Sequence, residues 1–170
     1  MARLPMQPLL ITNMLRGYLY EVNFVYKRLP AALERAGVAT TVQRWGSFFK
    51  EQVDTVRDHH TALQNVVKEW DQRLRPCACS EVDELLNELH HALVARGTTH
   101  TMERRVHEVI TLLRRLVVAR LDEGVQLARK LGEVELAERL EALFADERAQ
   151  HDLMQDPQRT EGLSLTTPTA

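Results

Sequence analysis

The stretch that decides the fold is Arg75-Pro76-Cys77-Ala78-Cys79-Ser80-Glu81-Val82-Asp83-Glu84-Leu85-Leu86-Asn87-Glu88-Leu89-His90-His91-Ala92-Leu93-Val94-Ala95-Arg96, followed by Gly97. Proline closes a preceding helix and glycine ends one readily, so the stretch is bounded by a stop on each side. Ser80 and Asp83 resemble a capping box, in which a hydroxyl and a carboxylate satisfy the free N–H groups of a helix start, although Glu or Gln is usual at the second position. The spacing predicts one short helix over residues 80–96.

Its neighbours are longer. Upstream, Leu10, Met14, Tyr18, Val22, Val25, Leu29 and Leu33 recur at helical spacing, predicting a helix over residues 8–36 that Gly37 ends and Pro30 kinks or breaks. Val42, Trp45, Phe49, Val53, Val56, His60, Leu63, Val67 and Trp70 continue the same rhythm, with Thr40 or Thr41 as the cap, to about Leu74. Downstream, Thr99 or Thr101 opens a fourth helix whose stripe is Val106, Val109, Ile110, Leu113, Val117, Leu121, Leu127 and Leu131. Gly132 breaks it, and a fifth helix starts near Glu133 and buries Leu136, Leu140, Leu143 and Phe144.

Long helices joined by a few residues fold back as antiparallel hairpins, which pairs helix one with two and helix four with five. Between the pairs lies a connection of about 25 residues holding the short helix, and one long crossover between hairpins is the ferritin-like topology. The expected fold is therefore all-α, a ferritin-like antiparallel four-helix bundle with a long crossover carrying a short extra helix. It is expected to be a single domain over residues 1–154, with residues 155–170, rich in Pro, Ser and Thr, as a polar, disordered tail.

Composition agrees. A chain of 170 residues buries roughly 70% of its extended surface as one domain. With 22 basic and 24 acidic residues the net charge is −2, so no global field draws it to nucleic acid or acidic membranes. No apolar run approaches the ~20 residues of a membrane span, and Pro5 and Pro8 stand where a signal peptide would have its apolar region. The expected location is the cytoplasm. Cys77 and Cys79 are too close to staple distant elements, and without a second ligand pair they read as structural or incidental, with a redox role as the minority alternative. No phosphate loop, nucleophile elbow or Cys/His dyad at a useful spacing argues for a hydrolase or nucleotide enzyme. Arg104, Arg105, Arg114, Arg115 and Arg120, interspersed with Glu103, Glu108 and Asp122, read as a solvated, salt-bridged face. Trp45 and Trp70 read as core or dimer-contact aromatics.

A di-iron centre in such a bundle takes one inward Glu from each of two helices and a Glu-x-x-His pair from each of the others. Glu88 and His91 have that spacing, but on the crossover helix, where they read as surface residues. Glu147 and His151 share a face of helix five. Helix two offers Gln52, Asp54, His59 and His60, and helix one offers Glu21 beside Tyr18 and Val22. Helix four is apolar through its centre, with Glu108, Asp122 and Glu123 off the stripe or at its margin, so charge compensation for two irons is missing. The candidate metal set is Glu21, His59, Glu147 and His151, for iron or manganese; the alternative for each pair is a histidine hydrogen-bonded to a carboxylate, with no metal at all.

These residues resemble the YciE/YciF-type ferritin-like proteins, a bacterial family linked to stress responses. The resemblance runs from about Leu19 to Met154. Leu19-Tyr20 and the later Leu29-Pro30-Ala31-Ala32-Leu33 are similar to the family's opening, and Gln52, His59, Leu63 and Val66 to its ligand-bearing second helix. Cys79 stands just before the crossover helix, where family members often carry a Cys, and Leu127 to Gly132 followed by an acidic helix with Glu147 resembles its Leu-Gly break and last helix. The resemblance implies a helical bundle that commonly dimerises and a metal site that carries over only in part. The family's first-helix Glu falls near Glu21 or Val22, and its second-helix Glu falls at Thr55, although His59 is retained. Its Glu-His-Tyr-Glu run on helix four meets Arg114-Arg115-Leu116-Val117, and His151 stands where Asp is more usual. The expectation is a homodimeric, stress-associated protein whose di-iron site is degenerate, more a non-enzyme than an enzyme. The alternatives are a working iron or manganese protein with oxidase-type chemistry, and a non-catalytic helical adapter for an unknown protein partner.

Overall fold

The three-and-four spacing of apolar residues resolves into five helices in the computed structural model, which describes residues 8–70, 72–95, 99–156, 159, 162 and 163. They are α1 (Pro8–Ala39), α2 (Gln43–Trp70), α3 (Ser80–Val94), α4 (Thr99–Leu131) and α5 (Val134–Gln155). Among the described residues all regular structure is helical, and no helix is long and apolar enough to cross a membrane. The expected stop at Gly97 and most of the expected tail over 155–170 lie outside the described residues.

α1 packs on α2 and α4, and α5 packs on α4 and α2, so each long helix meets two others around one core. Residues 40–42 and 132–133 join the helix pairs, and connections so short force the chain to reverse. α3 lies against α4 and α1, burying Val82, Leu89 and Ala92.

Several boundaries differ from the expected ones. α1 runs through both Pro30 and Gly37 to Ala39. Pro30 removes one helix hydrogen bond and crowds the carbonyl four residues back, together about 3 kcal/mol in an exposed helix; here Tyr26, Leu29, Leu33 and Ala36 are buried on either side, and their packing keeps the helix unbroken. The buried face near the start of α1 is Ile11, Leu15 and Leu19, while Leu10 and Met14 are exposed; three consecutive apolar residues at 9–11 left the phase ambiguous by one position. α2 ends at Trp70, not near Leu74, because the chain is drawn onto α1: the Arg16 Nε donates to the Arg73 carbonyl, and the Arg75 N–H to the Arg16 carbonyl at 3.4 Å. The capping box does not form either. Cys79 is the N-cap of α3 and no side chain caps it; its carbonyl accepts the Asp83 N–H at 2.8 Å.

At the start of α2 the Val42 carbonyl accepts the Gly46 N–H at 3.0 Å, so Val42 caps the helix in place of Thr40 or Thr41; the Thr40 hydroxyl accepts the Val42 N–H at 3.2 Å just before it and donates to Glu103 on α4. Other local expectations hold. Gly132 has φ 76°, its N–H reaching the Arg129 carbonyl and that of Glu133 the Ala128 carbonyl, which is the paired closure that ends a helix in a left-handed residue. Trp45 is buried, stacked on Phe49 with ring centroids 5.5 Å apart. Beyond α5, Arg159 pairs with Glu51, the Gly162 carbonyl accepts from Arg44, and Leu163 is buried.

Candidate functional site

Four long helices each send one or two polar side chains into the core. Tyr26 comes from α1, Gln52 and His59 from α2, two turns apart on one face, Arg114 from α4 and Glu147 from α5. Glu147 and Arg114 are 0% and 1% exposed. They meet directly, Arg114 Nη1 donating to Glu147 Oε1 at 2.6 Å. The remaining guanidinium edge grips Gln52, with Nε and Nη2 donating to its Oε1 at 3.0 and 2.7 Å. Glu147 Oε2 accepts the Tyr26 hydroxyl at 3.0 Å and His59 Nδ1 at 2.5 Å, so Nδ1 carries the hydrogen.

The electrostatics follow from that geometry. Burial alone would raise the Glu147 carboxyl, but the Arg114 charge and the hydrogen bonds from His59 and Arg114 outweigh it and hold it below the ordinary value. Burial, with the Glu147 charge beside it, pushes the Tyr26 phenol well above 10, which keeps it a donor. The result is a buried cation and anion in contact, with Gln52, Tyr26 and His59 taking up their remaining polar atoms.

Arg114 therefore does not belong to a solvated face. Arg104, Arg105 and Arg115 are exposed as expected, and Glu88 and His91 are too. The signal was available: Arg114 follows Ile110 by four residues and precedes Val117 by three, which puts it on the inward stripe of α4. Tyr26 was also missed, because an aromatic on an apolar stripe reads as core.

The structure brings His59 and Glu147 together and sets Glu21 and His151 in other surroundings. Glu21 accepts Arg120 Nε at 2.6 Å, and the thiol of Cys77 lies 3.9 Å from its other oxygen. His151 Nδ1 lies 3.3 Å from Asp152, and its Nε2 is buried without a hydrogen-bond partner. Among the described residues, no three of Glu21, His59, Glu147 and His151 bring ligand atoms within 4.8 Å of one another.

Two metal ions do not fit this centre. Both oxygens of Glu147 are engaged, and a cation drawn to them would face the guanidinium at van der Waals range, where like charges repel strongly in a dry interior. A di-metal site needs several carboxylates, and the other buried one among the described residues, Glu103, is bonded to Thr40.

Fold and site define an all-helical protein with a closed buried ion pair where its four long helices meet. No protein-family profile matches the chain, and no curated protein matches it in sequence. Solved structures do. The chain is similar to the stress protein YciF of E. coli, with a TM-score of 0.78 and 16% identity over 91% of this chain and 98% of that one. It is also similar to YcfI from Rhodopseudomonas palustris, with a TM-score of 0.70 and 17% identity over 92% of this chain and 98% of the other. The fold is that of the YciF type.

Proposed function

We propose that this chain is a divergent YciE/YciF-type protein, a ferritin-like four-helix bundle with α3 on its crossover, that acts as a non-catalytic, stress-associated homodimer in the cytoplasm. One observation carries the reading: Arg114 fills the space between the helices with a fixed positive charge bonded to Gln52 and Glu147. In this reading the guanidinium supplies the charge that metal ions would supply in a bundle of this type, and it does so without redox chemistry or exchangeable coordination. What remains is a scaffold whose surface does the work.

Metal analysis of protein purified after growth in added iron and manganese tests it. The expected result is substoichiometric iron and manganese, unchanged by Glu147→Gln or His151→Ala. Stoichiometric iron or manganese that those substitutions remove would overturn the reading and favour an oxidase-type centre. Sedimentation should give twice the 19.5 kDa of one chain; a species of one chain's mass at all concentrations would remove the dimer.

A further inference from the structure

Glu21 does not face the buried ion pair; it faces the two cysteines. Cys77 Sγ lies 3.6 Å from Cys79 Sγ and 3.9 Å from Glu21 Oε1, and the ligand atoms of all three fall within 4.8 Å of one another. The segment that carries the cysteines is held in place. Residues 73 and 75 are tied to Arg16, Cys77 also contacts the Gly17 carbonyl at 3.6 Å, and Cys79 is fixed as the N-cap of α3. Both cysteines are free thiols.

We propose that Cys77, Cys79 and Glu21 form a three-ligand site for a thiophilic divalent cation, with zinc as the best fit. Zinc–sulfur bonds near 2.3 Å and zinc–oxygen bonds near 2.1 Å place two tetrahedral sulfurs about 3.8 Å apart and a sulfur and an oxygen about 3.6 Å apart. The two spacings that involve Cys77, 3.6 Å to Cys79 and 3.9 Å to Glu21, stand within a few tenths of an ångström of that arrangement, and Cys79 lies within 4.8 Å of the carboxylate. A disulfide would need the sulfurs to close to about 2.05 Å across a single intervening residue, a strained link. Linear two-thiolate coordination would need them to move apart.

Charge points the same way. Two thiolates and the Glu21 carboxylate carry three negative charges, of which a divalent cation offsets two while Arg120, shared with Glu123, offsets part of the third. Arg120 is bonded to Glu21 at 2.6 Å and to Glu123 at 3.0 Å, so it orients the carboxylate in the manner of an outer-shell partner. Binding exchanges each S–H bond for a metal–sulfur bond and releases two protons to solvent. Three protein ligands leave a fourth position, and the exposure of Cys77 opens it to water or an exchanging ligand. The site is of the exchangeable kind, not a closed structural one. It is independent of the Arg114 and Glu147 pair and of what that pair does.

The test is titration of the reduced full-length protein with cobalt(II), followed by zinc competition. One equivalent should give a thiolate-to-cobalt charge-transfer band and intense visible bands of tetrahedral coordination, both discharged by zinc. Cys77→Ser with Cys79→Ser should abolish the charge-transfer band, and Glu21→Gln should weaken zinc binding at least tenfold while leaving that band. Because Cys77 is exposed, Cys77→Ser alone should keep native helicity and still lose at least half of the band, so a misfolded double variant would not leave the question open. Cobalt bound without a charge-transfer band, or zinc affinity unchanged in Cys77→Ser, would overturn the site. Zinc affinity unchanged in Glu21→Gln would overturn the three-ligand assignment.

Discussion

Arg114 and Glu147, on α4 and α5, form a fully buried ion pair at 2.6 Å, with the other guanidinium nitrogens turned to Gln52 and the other carboxylate oxygen to Tyr26 and His59. Such a pair gains little over an apolar replacement, yet losing one partner strands the other charge in a dry interior. Arg114→Met and Glu147→Met should therefore each cost about 3–5 kcal/mol in urea unfolding. The double variant should cost about 2–3 kcal/mol less than the sum, since neither charge is then stranded, although Gln52, Tyr26 and His59 lose partners. Additivity within about 0.5 kcal/mol would show that the two charges do not sense each other.

The same pair sets an acid limit. The Glu147 carboxyl lies below its ordinary value of 4.5 in the folded chain, so its contribution is fully present above the unfolded value and disappears as pH falls through the folded one. Unfolding free energy measured from pH 6 down to pH 3 should drop, and the drop should be smaller in Glu147→Gln. An identical acid limb in that variant would assign the loss to surface carboxylates.

At the other end of the scale the sign reverses. Tyr26 is raised well above 10.0, so the unfolded chain ionises first, and stability should fall as pH rises from about 10 toward the folded value. Tyr26→Phe should cost about 1.5–3 kcal/mol near neutrality, the range for a hydrogen bond to a charged group. It should also flatten the alkaline limb. A Tyr26 phenol that titrates near 10 by ultraviolet difference spectroscopy would contradict the buried bond to Glu147.

How much of this was legible beforehand depends on whether the information is local. The stripes of α4 and α5, most of that of α2 and the break at Gly132 follow from periodicity and one glycine, although on α2 the buried residues are His59 and Val66 where the spacing put His60 and Val67. The C-terminal end of α2 does not follow from them, because Arg16, more than fifty residues away, captures the carbonyl of Arg73 and the N–H of Arg75. Arg114 was hidden by its neighbours: grouped with four other arginines it reads as surface, whereas its phase between Ile110 and Val117 places it inside. His59 and Glu147 were legible as inward polar residues, but that they bond each other through Nδ1 depends on the pairing of α2 with α5. The approach of Glu21 to Cys77 and Cys79 has no counterpart in spacing at all, since α1 and the crossover meet only in the fold.

Two glycines should respond oppositely to the same methyl group. Gly132 sits at φ 76°, where a Cβ meets its own backbone, so Gly132→Ala should lower stability by about 1–2 kcal/mol although its surroundings are open. Gly124 lies inside α4 in ordinary helical geometry, and a Cβ there would rest against Leu15 Cδ1 at 3.5 Å, Leu19 Cδ2 at 3.7 Å and Leu140 Cδ1 at 3.8 Å, all normal contact distances. Gly124→Ala removes the entropic penalty of a helical glycine and adds contact between α4, α1 and α5, so it should raise stability by up to about 1 kcal/mol. Thermal midpoints of the two variants should move in opposite directions from the parent. If Gly124→Ala falls below the parent, α1 and α4 approach more closely at that point than 3.5 Å allows, and the packing of the two helices would need revision there.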